Sequence, residues 1–327
     1  MRRCAFLTLQ DPTGYVIDDE LAYAPLAALG WRVDTLPWQQ PQVEWRTYDA
    51  VVIRSTWDYV TDPDAFLDVL GEIERSGTPL FNGLDLVRWN IRKTYLRDLA
   101  ERGVSVVPTI WRDRLQPGEL PDLIEEVGTA EVVIKPVVGA NASGAFRLDA
   151  QTARSRADEL CAYYADRALL AQPFLSAITT EGEFSLFYFN GALSHTILKL
   201  PKPADFRVQE EHGGIVRAVE ADDALRETGD AAMRVIGTAP LYARADFVRA
   251  TESLNSVKER GSHGALRSQH LSRRRPRGGG TTLNCSGYWL MELELIEPSL
   301  YLRMDKGASN RFARALHDRV SSVERKL

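Results

Sequence analysis

The sequence predicts a mixed α/β protein, with a parallel-sheet unit over residues 1–85 and a larger α+β unit over 86–327. Three observations carry this. Short apolar runs alternate with helix-period segments through the first unit, the pattern of a parallel sheet. The aromatic run from Glu183 to Phe189 reaches Asn190-Gly191, a favoured two-residue hairpin turn, and returns as Ala192 to Lys199. Tyr288 to Ile296 alternates in character, as a half-buried strand does.

Taken in order, Cys4 to Leu9 reads as the first strand. Asp18 to Leu29 has helical periodicity and meets Gly30, a suitable C-cap. Ala50 to Arg54 is a second buried strand, Asp64 to Glu74 a second helix ending before Gly77, and Pro79 to Asn82 a third short strand. Residues 85–103 read as one helix that carries Lys93 and is closed by Gly103. Val104 to Trp111 is extended, Leu120 to Val127 helical, and Val132 to Lys135 a β-branched strand; a small subdomain is expected at about 104–170. After the hairpin come a helix at Asp222 to Ile236, a strand at Leu241 to Val248, the strand at 288–296 and a terminal helix from Asn310 to Val320.

Composition narrows the class. With 44% hydrophobic and 26% charged residues and a net charge of −5, the chain has the balance of a soluble globular protein. That balance gives no reason to expect a nucleic-acid or membrane partner. No stretch approaches a membrane span, and Cys4, Cys161 and Cys285 have no paired spacing, so a cytoplasmic protein with reduced thiols is expected.

Several positions carry chemistry. Glu292 and Glu294 share one strand face, roughly 6.5–7 Å apart by strand rise, an arrangement that suits a hard cation such as Mg²⁺ and equally a solvent-facing edge strand. Arg244 and Asp246 share a face of the preceding strand, and pairing of the two strands would bring Asp246 to the two glutamates. Arg244 suits a phosphate or carboxylate, or simple pairing with Asp246. Lys135 ends an apolar strand, where it needs an anion, and a loop of small residues follows, Gly139-Ala140-Asn141-Ala142-Ser143-Gly144. Such a loop can bring backbone N–H groups to phosphate oxygens, or be a plain turn. It is not a Walker A loop, because the lysine precedes the glycines. Gln172 to Leu175 closes another apolar run and can offer an edge to a base.

In this order the elements resemble the ATP-grasp superfamily, and within it the glutathione-synthetase-like and ribosomal-S6-modification-like carboxylate–amine ligases. The resemblance spans nearly the whole chain except residues 251–286. It implies an ATP-grasp fold behind an N-terminal pre-ATP-grasp domain. It also implies ATP-dependent joining of a small-molecule carboxylate to an amine through an acyl phosphate, with ADP and phosphate released, and it leaves room for a homo-oligomer. Lys93 and Lys135 would contact ATP phosphates, with Gly139, Asn141, Ser143 and Gly144 closing over them. Gln172 and Leu175 would hold adenine, Glu183 the ribose, and Asp246, Glu292 and Glu294 two Mg²⁺ (or Mn²⁺) ions. Arg207, in a stretch with Gly213 and Gly214, and Arg244 would orient the carboxylate or stabilise the tetrahedral intermediate. Two departures stand out. Glu294 takes the place of the family's usual Asn, and Ser185 that of a basic residue in glutathione synthetase, which points to a different substrate.

Residues 251–286, rich in Ser, Arg and Gly, break the pattern between the two metal-bearing strands and read as a disordered insertion or a misread stretch of the coding sequence. An insertion there leaves two alternatives open: a non-catalytic ATP-binding protein of the same fold, and a cyclo-ligase whose carboxylate and amine belong to one molecule.

Overall fold

The computed structural model of the chain describes residues 1–203, 205–250 and 287–324. The insertion expected at 251–286 lies outside them. Three sheets organise the fold.

The first is parallel. It is built from β1 (Arg2–Thr8), β2 (Trp31–Pro37), β3 (Ala50–Ser55) and β4 (Leu80–Phe81), in the order β2-β1-β3-β4. β3 is buried along its whole length, as its unbroken apolar run requires. β2 was not expected from the sequence, because Arg32 and Asp34 interrupt its alternation. It is an edge strand, where charge is tolerated, and Arg3 pairs with Asp34 at 2.7 Å across the β1–β2 ladder. The helix expected at 18–29 is shorter. A 3-10 turn at Asp19–Ala22 precedes α1 (Tyr23–Ala28), because the Asp19 carboxylate turns inward to Arg54 and Ser55 and Pro25 fits only the first helical turn. α2 (Pro63–Arg75) is capped by Asp62, whose side chain accepts from Ala65 N.

The helix expected at 85–103 is two, α3 (Leu84–Asn90) and α4 (Tyr95–Glu101). Tertiary bonds break it. The Asn90 amide donates to Leu293 O at 2.8 Å and accepts from Leu295 N at 2.9 Å, and the Lys93 backbone N–H donates to Val137 O at 2.8 Å. The interruption puts Lys93 in a loop rather than on a helix face.

The second sheet is antiparallel. It holds β5 (Ile110–Arg112), β6 (Glu131–Pro136), β7 (Phe146–Asp149) and β8 (Leu169–Pro173), in the order β5-β8-β6-β7. α5 (Glu119–Val127), α6 (Ala150–Ser155) and α7 (Ala157–Tyr163) cover it, and Leu120, Leu123, Leu148 and Leu160 fill its core. β7, α6 and α7 were not foreseen; they are short, and Arg and Asp punctuate their apolar positions.

The third sheet, also antiparallel, supplies the floor of the site. Its strands are β9 (Glu183–Phe189), β10 (Ala192–Leu200), β11 (Ile215–Val219), β12 (Tyr242–Arg249) and β13 (Tyr288–Glu294), in the order β11-β10-β9-β12-β13. Asn190 and Gly191, with φ of 49° and 80°, form the expected hairpin turn. α8 (Ala177–Thr180) leads into β9, and α9 (Asp223–Ile236) packs against β12 and β13. α10 (Ala308–Glu324) joins the first and third sheets through Phe312 and Leu316. No described helix is long and apolar enough to cross a membrane.

Candidate active site

The sheet register assembles the charged cluster. Asp246 on β12 faces Glu292 on β13, and Arg244 faces Glu294. Asp246, Glu292 and Glu294 each offer a carboxylate oxygen, and these oxygens lie within 4.8 Å of one another. That is the hard oxygen-donor set of a divalent cation.

Cations stand against these carboxylates from every side. Lys135 Nζ, at the end of β6, donates to Glu292 Oε1 at 3.0 Å. Lys93 Nζ lies 3.6 Å from the same oxygen and donates to Gly139 O at 2.7 Å. Arg244 Nη2 donates to Asp246 Oδ2 at 3.0 Å and to Glu294 Oε1. Burial pushes the Glu292 carboxyl up, but Lys135 and Lys93 outweigh it and hold the group well below the usual carboxylate range. For Glu294, burial wins over Arg244; the charges of Asp246 and Glu292 add to it, and the carboxyl is lifted to about 7.

Lys199 was missed in the sequence, although a lysine inside the apolar run of β10 was the available signal. It is 3% exposed and lies 2.5 Å from Glu183 Oε1 and 3.4 Å from Asp246 Oδ1. Burial alone would discharge it; Asp246 and Glu183 outweigh that and hold it protonated. Gly182 makes room for it. With φ of +107°, Gly182 sits so close to β10 that a Cβ would fall 2.6 Å from Lys199 O. Ser185, facing Asp246 across β9 and β12, donates to Asp246 Oδ1 at 2.5 Å.

These groups line one cavity together with Gly139, Asn141, Ser143, Gln172, Leu175 and Arg207. The residues singled out from the sequence therefore converge, with one exception. Gly144 is absent from the lining and packs against α7, where a Cβ would meet Tyr163 Oη at 2.4 Å. In the same loop Asn141 and Ala142 take left-handed φ values of 52° and 55°, unusual for alanine and a mark of stored backbone strain. Gln172 Nε2 donates to Thr109 Oγ1 at 2.9 Å. Arg207 reaches the wall with its guanidinium held by Asp205, Nη2 to Oδ2 at 2.8 Å.

The far wall comes from the end of β3 and the segment after β13. Trp57 and Tyr59 line the cavity. Arg54 does not line it; it is buried, bonds Asp19 Oδ1 at 2.9 Å and lies 4.9 Å from the Tyr242 ring centroid. The carbonyls of 295–298 and of 300 are held by side chains from elsewhere in the chain. Asn82 donates to Leu295 O, Tyr242 to Ile296 O, Trp57 to Glu297 O, Arg54 to Pro298 O and His195 to Leu300 O, at 2.7 to 3.1 Å. Tyr301 follows with a left-handed φ of 47°. This segment is a rigid part of the site, and nothing in its sequence periodicity signals that.

A three-sheet α/β fold with a lysine-bearing strand, a strained small-residue loop and carboxylates on paired strands is the ATP-grasp fold, and the solved structures that the chain resembles are ATP-grasp ligases. Residues 4–82 match the family described as D-cycloserine synthetase DcsG, N-terminal domain. The cycloserine biosynthesis protein DcsG of Streptomyces lavendulae is 27% identical over 299 residues, which cover 89% of this chain and 90% of that protein. The crystal structure of D-cycloserine synthetase DcsG superposes with a TM-score of 0.76 at 25% identity, over 97% of this chain and 99% of that one. D-alanine–D-alanine ligase from Bacillus anthracis, complexed with ATP, superposes with a TM-score of 0.64 at 12% identity over 100% and 99%. A RimK domain ATP-grasp protein from Sphaerobacter thermophilus does so with 0.63 at 14% over 97% and 99%.

Proposed function

We propose that the chain is an ATP- and Mg²⁺-dependent carboxylate–amine ligase working through an acyl phosphate in the cytoplasm. The observation that carries this is the juxtaposition of Lys93 and Lys135 with the Asp246, Glu292 and Glu294 carboxylates in one cavity. In the ligand-free state lysines and carboxylates neutralise each other. Nucleotide phosphates would draw Lys93 and Lys135 away, and Mg²⁺ would take their place at the carboxylates. Asp246, Glu292 and Glu294 would hold the metal, which supplies charge stabilisation for the phosphoryl oxygens. The donor set fits, because one oxygen from each of the three carboxylates lies within 4.8 Å of the others.

Gln172 and Leu175 would hold adenine and Glu183 the ribose, with the 139–144 loop over the phosphates. A substrate carboxylate oxygen bonds to the γ-phosphorus and ADP leaves. The amine then attacks the acyl carbon and phosphate leaves. Arg244, and Arg207 once released from Asp205, orient the carboxylate and stabilise the oxyanion. Residues 1–85 contribute Trp57 and Tyr59 to the substrate end.

Ring closure within one molecule is the second reading, favoured by the match of residues 4–82 to a D-cycloserine synthetase domain, named for a cyclic product. ADP release that needs a single organic substrate separates it from two-substrate ligation. Hydroxylamine trapping tests the intermediate. Hydroxamate formed only with ATP, Mg²⁺ and the carboxylate supports the acyl phosphate; turnover without trappable hydroxamate contradicts it.

A further inference from the structure

A second cleft, of about 550 Å³, opens where β4 and α3 meet the end of α9 and α10, and it shares no lining residue with the active-site cavity. Its size suits a small organic molecule. Phe81, Leu86, Trp89 and Ile236 give it an apolar body. Trp89 is fixed there, its Nε1 donating to Asp98 Oδ2 at 2.7 Å. Two arginines add charge to the lining. Arg319 Nε donates to Asn190 Oδ1 at 3.0 Å and Nη2 to Ala239 O at 2.6 Å, contacts that hold the guanidinium in place without neutralising it. Arg102 Nη1 donates to Val235 O at 3.0 Å, so both arginines gather at the stretch 235–239. Among the described residues neither has an ion pair, and burial lowers the Arg319 pKa with nothing to offset it. The acids of the cleft are engaged elsewhere: Glu74 Oε1 accepts from Leu84 N at 2.9 Å, and Asp85 lies 3.6 Å from Arg88.

Asn82 joins this cleft to the active site. It lines the cleft, is 5% exposed and takes a left-handed φ of 58°. Its Nδ2 donates to Tyr242 O at 2.8 Å and to Leu295 O at 2.7 Å, and its Oδ1 accepts from Leu241 N at 2.8 Å. Leu241 lines the cleft. Leu295 opens the 295–300 segment, of which Ile296, Glu297 and Ser299 line the active-site cavity. One buried side chain therefore bonds to a wall of each.

We propose that this cleft is a second ligand site, for a small organic anion with a flat apolar body (an aromatic carboxylate or sulfonate), and that its occupant sets the position of the 295–300 wall through Asn82. Arg319 Nη1, which carries no hydrogen bond among the described residues, donates to the anionic group. The ring system packs against Trp89 and Ile236. A ligand held here biases the substrate end of the active site without entering it, which is the condition for regulation from a separate site. The assignment does not depend on the ligase reading.

The test uses the full chain and two probes, anilinonaphthalene sulfonate and its uncharged relative N-phenylnaphthylamine, titrated by fluorescence with and without Mg²⁺·ATP. Arg319→Gln removes the charge, and Thr238→Trp fills the cleft from an exposed position; each is checked for a wild-type circular dichroism spectrum. Expected is one sulfonate bound per chain whether or not ATP is present, weakened about tenfold or more by Arg319→Gln and abolished by Thr238→Trp, with the uncharged relative also about tenfold weaker. Deuterium exchange of the 295–301 amides reads the coupling: the sulfonate should slow it about threefold in wild type and leave Thr238→Trp unchanged. Displacement of the sulfonate by ATP, an unchanged affinity in either folded variant, or equal binding of the uncharged relative overturns the site. Should Arg319→Gln not fold, Thr238→Trp and the uncharged relative decide. Unchanged exchange at 295–301 in sulfonate-bound wild type overturns the coupling. A mass that rises with concentration in wild type and not in Thr238→Trp makes the cleft an interface between copies and overturns the ligand assignment. A wild type that binds the sulfonate as expected but no ATP overturns the ligase reading and supports this one.

Discussion

Lys199 and Glu183 are register partners on β10 and β9, and their charged groups meet 2.5 Å apart in the wall of the cavity. The pair is also bound to the metal-type cluster, because Lys199 reaches Asp246 at 3.4 Å. Removing the lysine leaves the buried Glu183 without its cation and Asp246 with Arg244 alone. Lys199→Met is therefore expected to lower unfolding free energy by about 3–5 kcal/mol, and Lys199→Met/Glu183→Gln to recover part of the loss. Urea denaturation of the two variants checks this. A loss below about 1 kcal/mol would show that Lys199 is dispensable to the fold.

Gly182 is the glycine whose lack of a side chain the site requires. Gly182→Ala combines a positive φ with a contact to the β10 backbone, so it is expected to cost about 1–3 kcal/mol. The same denaturation experiment reads it. The control is Gly77→Ala, which shares a positive φ but has open space around the added Cβ and should cost less.

Acid sensitivity follows from His195. Its ring stacks on Phe187 at 4.3 Å, Nε2 donates to Leu300 O at 3.0 Å, and burial lowers its pKa to about 4. Above pH about 6.5 the ring is neutral in both folded and unfolded chains and contributes no pH dependence. Between about 6.5 and 4 the unfolded chain takes up a proton that the folded chain refuses, so stability falls as pH falls, at up to about 1.4 kcal/mol per pH unit. Below 4 both forms are protonated and this contribution levels off. Urea midpoints of wild type and His195→Gln at pH 7.5 and 5 should diverge in slope, with the variant flatter. Parallel pH dependence would remove His195 as a source.

Much of this architecture was legible in the chain, for identifiable reasons. The pairing of β12 with β13 was open to anticipation because Asp246, Glu292 and Glu294 sit at alternating positions that a shared charge explains, although a solvent-facing edge strand gives the same pattern. The hairpin was legible because Asn-Gly admits the two positive φ values it needs. The break between α3 and α4 was not, since it is made by Asn90 bonding to a strand some two hundred residues later in the chain. Lys199 left a signal, a lysine inside an apolar strand, but only the three-dimensional pairing shows which anions hold it charged. The clamped 295–300 segment depends on Asn82, Tyr242, Trp57, Arg54 and His195, which lie on four separate parts of the chain and share no local pattern. Residues 251–286, the segment with the most conspicuous composition, lie outside the described structure.

The central claim is that Lys93, Lys135, Asp246, Glu292 and Glu294 form one nucleotide–metal site. Calorimetry of ATP with Mg²⁺ tests it most directly, comparing wild type, Lys135→Ala and Glu292→Ala/Glu294→Ala. Wild type is expected to bind in the micromolar range. Lys135→Ala should lose about 1.5–3 kcal/mol, as a charge-assisted hydrogen bond does, and the double variant should lose the dependence on Mg²⁺. Unaltered Mg²⁺-dependent ATP binding in both variants would contradict the account, because the cluster would then be a structural ion-pair network and the nucleotide would bind elsewhere.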